Sequence, residues 1–510
     1  MARVLIFLLI CVSRALAVDY LWPLPDSRTL TGGHADSRTD HFHGGLDLRA
    51  RTPLKVVAPT DGWVERVGIN PPGYGRTLYY RMSDGNTAVF GHLSRYEPEL
   101  QEMVRDSQLA IGTYRVDFTF DSTEAPHYKA GETLCFTGAS GRGPAHLHFE
   151  VRTGAVQHDP LSFYDPKDFD DPVIVGIRWI KLSDNIPTAT GNNLVLSASP
   201  RIKSNEPVAF MIRTYDPGPW GRNAVPYAVR VFENERLIFE DRCSDIDLLG
   251  SANIYEKLVY SEFKTNDRDV RRLFEWPLRN LTADDELPSG WIEDFVGVIR
   301  IEVEDRNGNT SSVRVPVEAG VAHERIRKEM SYESNGYTLT GDEVSLSWAE
   351  LFPIGTECRI NDDNFAFPAK LVLTTDENFE NGKYFYKRSG TTGRIPLWRI
   401  PSADATKMSC FVLRGGTYGV AIDDTPPKLI LSGKNGKLSF KLTDDESSID
   451  DSRVRCKVDG VVAIPEYEYE EDGGDIWTQT KLPSGNHRVE FEAANRAGLL
   501  KTWDTTVTIP

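Results

Sequence analysis

The stretch GRGPAHLHFEV, residues 141–151, alternates polar and apolar residues after a glycine-rich turn. Alternation with a period of two predicts a β-strand with one polar and one apolar face. His146 and His148 then project from the same face, about 6.6 Å apart. If one imidazole binds a metal ion at about 2.0 Å, the other can reach a water on that ion but cannot easily be a second ligand.

A second histidine-rich stretch, HFHGGLD at 41–47, supplies the other side of a predicted metal site. A straight strand would separate His43 and Asp47 by about 13 Å, too far to share one ion. The two glycines between them allow the chain to bend back. Zinc binds histidine nitrogens and aspartate oxygens in a tetrahedron, and a catalytic site keeps one position open. His43, Asp47 and His148 would fill the other three positions.

A third element, FGHLS at 90–94, presents His92 just after a predicted hairpin strand. Each histidine alone is more often solvated or hydrogen-bonded than a metal ligand, but three separate elements together favour one site. His41 is the internal alternative to His43; it lies six residues from Asp47 and lacks the glycine spacing, which favours a solvated or outer position. The chain has no H-E-x-x-H helix, which excludes a thermolysin-type site.

Three motifs therefore occur in order: HGGLD at 43–47, GHL at 91–93 and HLH at 146–148. Together they resemble the lysostaphin-type, or LytM-type, zinc metallopeptidases, which cut peptidoglycan peptides. The resemblance covers residues 22 to about 163, roughly the first third of the chain. It implies two groups of site residues: the ligands of one Zn²⁺ are His43, Asp47 and His148, and the catalytic histidines are His92 and His146.

The same resemblance implies an endopeptidase whose substrates are peptidoglycan cross-links or stem peptides. Zinc would lower the pKa of a water toward about 7 and polarise the scissile carbonyl. One of His92 and His146 would move a proton and the other would stabilise the oxyanion, in either assignment. The chain departs from the family pattern in that Ala145 stands between Pro144 and the first histidine of the pair, which leaves the strand spacing intact.

Two other functions remain open at the level of sequence. Some relatives in this family have lost zinc ligands and only activate other wall hydrolases, so a non-catalytic regulator is one alternative. In this chain none of the five positions is substituted. The other alternative is an adhesion or scaffold protein that binds through its β-modules, although no sugar-binding motif is visible. The sequence does not indicate an oligomeric state.

Charge and the N-terminus indicate where the protein acts. The net charge of −17 and a pI near 5.2 argue against nucleic acid as a partner, because phosphate binding needs clustered Lys and Arg. Residues 1–17 have the pattern of a cleaved signal peptide. The apolar run 4–12 is too short for a membrane anchor, and no later segment is long and apolar enough. We expect export to the periplasm or cell envelope, or secretion.

The 510 residues are too many for one core, and the patterns predict a mainly β protein of several domains. Residues 170–318 and residues 423–509 resemble each other. Each segment starts with a stretch that contains Asp and Pro and ends with a hairpin turn that contains Asn and Gly. We read both as immunoglobulin-like β-sandwiches. The predicted organisation is a signal peptide (1–17), a metallopeptidase domain (18–165) with an insertion (98–130), a sandwich (166–320), a β-rich module (321–422) and a second sandwich (423–510).

Smaller predictions concern the later modules and the insertion. Five cysteines remain after signal removal, an odd number, and Cys358 with Cys410 is the one pair that we propose as a disulfide. The acidic stretch EYEYEEDGGD at 466–475 is predicted to be a solvated loop. Within the insertion, residues 97–112 predict a short amphipathic helix and residues 113–120 a strand.

Overall fold

The structure is a computed structural model, and it describes most of the chain from residue 20 to residue 510. The residues outside this description are 1–19, 39–40, 52, 165, 185–190, 195–200, 219–222, 249–253, 260–261, 263–268, 276–286, 288, 322–331, 335, 341–350, 361–365, 376–381, 391–392, 398 and 401–406. The predicted signal peptide therefore lies outside the described residues. No helix in the described part is both long and apolar enough to cross a membrane.

The prediction of a mainly β protein is confirmed, and the N-terminal part is built on one large, antiparallel sheet. Its strands are β1 (Leu30–Gly32), β2 (Leu46–Arg49), β3 (Lys55–Val57), β4 (Gly62–Asn70), β5 (Gly75–Met82), β6 (Thr87–Tyr96), β7 (Val116–Thr119), β8 (His127–Tyr128), β9 (Thr133–Thr137), β10 (His146–Thr153) and β11 (Val156–His158). The central order is β1-β2-β10-β6-β5-β4-β7.

The strand order places the predicted histidine strand at the centre of this sheet. On β10, His148 is opposite Asp47 of β2 on one side and Gly91 of β6 on the other. The alternate residues Leu147 and Phe149 are fully buried in the apolar core. The period of two in the sequence is therefore confirmed as a strand that buries one face in the core and carries the histidines on the other.

The hairpin prediction for β5 and β6 is confirmed, because the two strands pair around the turn at 83–86. The alternating stretch PLKVVAPTDGWVERVG, residues 53–68, predicts a second pair of strands around Asp61 and Gly62, and this prediction is wrong. Strand β3 pairs with β9, while β4 pairs with β5, β7 and β8. Alternation along the chain identified the two strands, but it carries no information on which of several strands each one joins.

The predicted insertion helix is present as α1 (Pro98–Ile111). Pro98 occupies the first turn, the Glu97 side chain accepts a hydrogen bond from the backbone N–H of Glu99, and Gly112 ends the helix in the left-handed conformation. Its buried face carries Leu100 and Val104 into the core of the N-terminal sheet. The predicted strand after it is β7.

The second part of the chain forms two sheets around a shared apolar core. Its elements are β12 (Val173–Lys181), β13 (Asn192–Leu194), β14 (Ile202–Lys203), β15 (Val208–Tyr215), β16 (Ala228–Glu233), β17 (Arg236–Arg242), β18 (Asp245–Asp247), the short helix α2 (Ile254–Lys257), β19 (Arg271–Arg272), β20 (Phe295–Glu304) and β21 (Thr310–Ala319). Strand β18 leaves this group and pairs with β11 of the N-terminal sheet.

The third and fourth parts are also antiparallel. The third contains β22 (Glu333–Ser334), β23 (Tyr337–Thr340), β24 (Leu351–Ile354), β25 (Glu357–Ile360), β26 (Ala366–Thr375), β27 (Lys383–Ser389), β28 (Gly393–Pro396), β29 (Arg399–Ile400), β30 (Met408–Arg414) and β31 (Gly416–Ile422). The fourth contains β32 (Lys428–Lys434), β33 (Lys437–Thr443), β34 (Ile449–Val458), β35 (Val461–Pro465), β36 (Gly473–Trp477), β37 (Gly485–Asn495) and β38 (Leu500–Ile509). The immunoglobulin-like assignment and the domain boundaries stay predictions.

The disulfide prediction is wrong. Cys358 on β25 and Cys410 on β30 lie in the two facing sheets of the third part, and both are free thiols buried in one apolar core. Burial raises the pKa of the Cys358 thiol to about 12, so it is protonated near neutral pH. These cysteines pack as small apolar side chains.

The acidic stretch 466–475 is only in part the solvated loop that its composition predicts: residues 469–472 are exposed, whereas residues 466–468 are partly or fully buried. It leads from β35 to β36 and packs on the N-terminal domain beside α1. Glu466 forms ion pairs with Arg76 and Arg105, at 3.1 and 2.5 Å. The Tyr114 hydroxyl donates a 2.9 Å hydrogen bond to Glu468. The insertion thus serves as a docking surface for the last part of the chain.

Candidate metal centre

Three of the predicted site residues converge on one point. His43 Nε2 lies 3.0 Å from Asp47 Oδ1, and His148 Nδ1 lies 3.0 Å from the same oxygen. The two nitrogens are themselves 3.0 Å apart. Ligands at about 2.0–2.1 Å in a tetrahedron would lie about 3.3 Å from one another. The spacing and the N, N, O donor set therefore fit one zinc ion.

Gly44 and Gly45 bring His43 close to Asp47 and His148, because residues without a side chain allow the backbone to pack closely here. Neither glycine has positive φ. A Cβ on Gly44 would lie 1.8 Å from the Gln157 side chain, and one on Gly45 would lie 2.2 Å from the carbonyl oxygen of Phe149. The chain bends at Gly45 before β2 starts. The two glycines thus let the backbone that carries His43 pass directly against β10 and β11.

The outer nitrogens of the two imidazoles are held by acceptors, and this fixes which atoms face inward. His43 Nδ1 donates to the carbonyl oxygen of Gly33 at 2.7 Å. His148 Nε2 donates to Glu150 Oε1 at 2.7 Å. When both rings are neutral, two nitrogen lone pairs and a carboxylate oxygen face one another. Three acceptors at this distance repel unless a cation or a proton lies between them.

Glu150 is fully buried and acts as the hub of the hydrogen bonds behind His148. Besides His148, it accepts hydrogen bonds from the Tyr74 hydroxyl at 2.7 Å, from Arg152 Nε at 2.5 Å and from Gln157 Nε2 at 2.8 Å. Burial alone would raise its pKa, but His148 and Arg152 outweigh burial and hold the carboxyl pKa well below its usual range. It therefore stays ionised and keeps His148 oriented.

Electrostatics of the inner residues agree with a cation site. Burial lowers the pKa of His148, but hydrogen bonds to Asp47 and Glu150 outweigh it and raise the pKa to about 9. Burial lowers the pKa of His43. The pKa of Asp47 lies far below its usual range, because hydrogen bonds from the surrounding histidines outweigh burial. Its second oxygen accepts a 3.0 Å hydrogen bond from Arg38 Nη2.

His92 and His146, the predicted catalytic pair, lie beside this cluster. Their ring centroids are 4.4 Å apart, and His146 Nε2 is 3.5 Å from Asp47 Oδ1. His92 Nδ1 donates to the carbonyl oxygen of Ser140, and His146 Nδ1 donates to that of Pro144. The Nε2 atom of each ring is therefore the one available as an acceptor.

The backbone at His92 has φ of 60°, in the left-handed region that residues other than glycine rarely adopt. Here β6 has an extra residue relative to β5, so the strand bulges as it passes the cluster. The bulge turns the His92 side chain toward the site. Burial, followed by the neighbouring histidines, lowers the His92 pKa to about 3, which keeps this ring neutral near pH 7.

All five predicted residues are thus brought together, while their roles stay predictions. His41 is exposed, and His43 occupies the position beside Asp47. Sequence reasoning missed the supporting residues: Glu150, the carbonyl groups of the 140–144 loop, and Tyr74, whose ring stacks on His148 at 4.9 Å. Only Glu150 had a signal, because it shares the polar strand face with the histidine pair.

Comparisons with known proteins bear on the same segment. No protein-family model matches the chain. It is 25% identical over 142 residues to the lipoprotein NlpD/LppB homolog of Pseudomonas aeruginosa, which is 28% of this chain and 39% of that protein. It is 28% identical over 122 residues to an uncharacterized metalloprotease of Haemophilus influenzae, 24% of this chain and 20% of that protein. The chain thus spans less than half the length of these relatives.

Among solved structures, the catalytic domain of lysostaphin from Staphylococcus simulans matches 26% of this chain and 90% of that domain, at 19% identity and a TM-score of 0.21. LytU matches 27% of this chain and 83% of its own, at 25% identity and a TM-score of 0.20. The N-terminal sheet carries a histidine–aspartate cluster whose spacing could hold one metal ion. The sequence matches and the ordered motifs make the N-terminal part of the chain similar to LytM-type metallopeptidases.

Proposed function

We propose that this protein is an exported zinc metalloendopeptidase that hydrolyses peptide bonds in peptidoglycan cross-links or stem peptides. One observation carries the proposal: the inward atoms of His43, Asp47 and His148 are three acceptors about 3.0 Å apart, with two further histidines beside them. Such a set fits a catalytic zinc site with three protein ligands.

In this proposal His43, Asp47 and His148 would hold the ion. Bound zinc would supply Lewis-acid activation of water and of the scissile carbonyl. His92 and His146 present Nε2 atoms that can accept a proton or, once protonated, donate a hydrogen bond to a developing oxyanion. The Ser140 and Pro144 carbonyl groups keep both rings in the tautomer that this needs.

The substrate and location rest on the relatives rather than on contacts in the structure. The matched proteins have names that include a lipoprotein and a metalloprotease. The motif order resembles that of LytM-type enzymes, which cut peptidoglycan peptides. The signal-peptide pattern of residues 1–17 supports export. The non-catalytic regulator stays the second candidate, because a protein named NlpD/LppB homolog is among the matched relatives.

The test is to incubate the purified protein without its predicted signal with intact cell-wall sacculi, with and without a chelator, and to separate the released muropeptides. We expect new amine termini that disappear on chelation and return when Zn²⁺ is restored. The His148→Ala protein should release none. His127→Ala is the matched control, because His127 is an exposed histidine of the same domain outside the site, and it should retain activity.

Two outcomes would contradict the proposal. An unchanged muropeptide profile from a folded, zinc-loaded protein would favour the regulator, and adding a separate wall hydrolase would then show whether the protein stimulates it. Activity that persists in both the chelator and the His148→Ala protein would exclude this site as the catalytic centre.

A further inference from the structure

A second group of convergent ligand atoms lies outside the histidine cluster, where residues 166–172, the linker that leads to β12, meet the second part of the chain. Asp168 precedes β12, Asp216 directly follows β15, and Asp305 directly follows β20. One carboxylate oxygen from each lies within 4.8 Å of the others. All three residues are buried; Asp216 is 4% exposed and Asp305 is 1% exposed.

Local hydrogen bonds do not compensate these three charges. Asp168 accepts from the backbone N–H of Asp170. Asp305 accepts from the backbone N–H groups of Asn307 and Asn309 and from the Asn309 side chain at 2.6 Å, all of them neutral donors. Asp216 Oδ1 is buried without any hydrogen-bond partner. In the described residues, no Lys or Arg forms an ion pair with any of the three carboxylates. Burying an unpaired polar oxygen is unfavourable, so the arrangement favours a positive partner.

The last part of the chain contains a similar group of three side chains, which differs at one position. Asp423 stands five residues before β32, as Asp168 does before β12, and Asp444 directly follows β33 as Asp216 follows β15. The third position is Asn495 in place of Asp305.

The turns that carry the third position match closely. In DRNGN (305–309) the first residue's backbone N–H donates to the fifth residue's carbonyl, and its side-chain Oδ1 accepts from the fifth residue's N–H. The turn NRAGL (495–499) makes the same two bonds. The backbones of the two turns are therefore held in the same way, and only the side-chain chemistry differs.

In the last part of the chain, the Asn495 amide supplies the positive partner. Its Nδ2 donates to Asp423 Oδ2 at 2.8 Å and to Asp444 Oδ2 at 3.1 Å. The second part has a third carboxylate at this position. A bound cation can satisfy three carboxylates at a place where an amide N–H satisfies two.

We propose that Asp168, Asp216 and Asp305 form a calcium site between the linker and the second part of the chain. Carboxylate oxygens without imidazole or thiolate favour a hard cation. Ca²⁺ accepts several carboxylates together with carbonyl groups and waters in a flexible shell, whereas Mg²⁺ usually takes one or two carboxylates and keeps its waters.

The surrounding contacts give the site a structural role. The side chain of Asn307 donates to the carbonyl oxygen of Pro166, and that of Asn309 donates to the carbonyl oxygen of Asp168. Arg306, between them, forms an ion pair with Asp159 of the N-terminal domain. A cation held by the three carboxylates would therefore fix the linker and orient the N-terminal domain on the second part. This role does not depend on peptidase activity.

The test uses the full mature chain, stripped of metals and titrated with CaCl2 or MgCl2 by calorimetry and thermal unfolding. We expect one Ca²⁺ per chain, a rise in Tm and weaker binding of Mg²⁺. The Asp216→Asn protein should lose calcium binding. So should Asp305→Asn combined with Asn309→Leu, which reproduces the donor set of the last part and should fold without calcium.

Two controls separate this site from other acidic groups and from the histidine cluster. Asp171→Asn changes an exposed carboxylate of the same linker and should bind Ca²⁺ as the unmodified protein does. His148→Ala should also retain calcium binding. The proposal is overturned if Ca²⁺ produces neither heat nor a Tm change, or if binding persists in the double variant. Should Asp216→Asn fail to fold, the double variant still decides the question.

Discussion

At the residue scale, Glu150 shows how the candidate metal centre depends on groups that do not touch the ion. Its two oxygens receive four hydrogen bonds, from His148, Tyr74, Arg152 and Gln157. The bond to His148 sets which ring nitrogen faces Asp47. A neutral amide at this position could donate as well as accept, so the His148 tautomer would no longer be fixed.

We therefore expect Glu150→Gln to weaken zinc binding by about 10- to 100-fold, the usual effect of losing such a supporting partner. Competition with a chromophoric chelator measures the zinc affinity directly, independently of activity. Glu124→Gln, a change at an exposed glutamate of the same domain, is the matched control and should leave the affinity unchanged. Equal affinities in the two variants would show that Glu150 does not orient His148.

A second prediction at this scale concerns His34, which is buried behind His43. Burial, then the charge of His43, lowers the His34 pKa from 6.5 to about 3. Between these values the unfolded chain binds a proton that the folded chain does not. Stability must therefore fall as pH falls from about 6.5 toward 3. From pH 7 to pH 5 the contribution is about 2 kcal/mol.

Between pH 7 and pH 5, the free energy of unfolding should fall by about 2 kcal/mol less in the His34→Gln protein than in the unmodified protein. Hydrogen exchange of the β1–β2 region at pH 5 and pH 7 gives the local opening free energy. The comparison of the two proteins cancels protonation at the metal centre, which both share. Parallel pH dependences would contradict the burial of a neutral His34.

At the scale of elements, the loop 140–144 connects the catalytic histidines to the last part of the chain. Its Ser140 and Pro144 carbonyl groups hold His92 and His146. The same loop offers its backbone N–H groups to the acidic stretch: Gly141 donates to Glu468 at 3.4 Å and Gly143 to Glu470 at 3.3 Å. The two ends of the chain thus meet next to the site.

The strongest part of this contact is Glu466 between two arginines. Burial would raise its pKa, but Arg76 and Arg105 outweigh burial and lower it. Glu466→Gln leaves both guanidinium groups largely buried without their carboxylate, at a cost of about 2–4 kcal/mol to docking. Hydrogen exchange in 466–475 and in α1 should accelerate accordingly. Glu470→Gln removes only an exposed contact and should change the opening free energy measured by hydrogen exchange by less than about 1 kcal/mol. Equal effects of Glu466→Gln and Glu470→Gln would contradict this prediction.

The same elements show what the sequence could predict. The β10 strand, the β5–β6 hairpin and α1 are local patterns, and the motif order brought the five site residues together. The partners of β3 and β4 depend on distant strands, and the left-handed φ at His92 is imposed by the bulge in β6. The docking of Glu466 joins residues more than three hundred positions apart. Composition alone made that stretch look solvated.

At the scale of the whole molecule, the N-terminal domain shares its core with the end of the chain. Ile464 of β35 is fully buried and belongs to the same apolar cluster as Leu100 and Val104 of α1. Arg105 also lies over the Trp477 ring, 4.5 Å from its centroid. Apolar contact and ion pairs thus act together, so the two parts should unfold in a coupled way.

Ile464→Ala tests this coupling, because it removes a buried side chain without altering any charge. Large-to-small changes in a core cost about 2–5 kcal/mol. Because β35 and α1 pack in one core, hydrogen exchange should accelerate both in β35 and in α1, which lies some 350 residues upstream. Val461→Ala, at an exposed position of the same strand, is the matched control and should affect neither. Exchange that accelerates only in β35 would mean that the last part of the chain folds without support from the N-terminal domain.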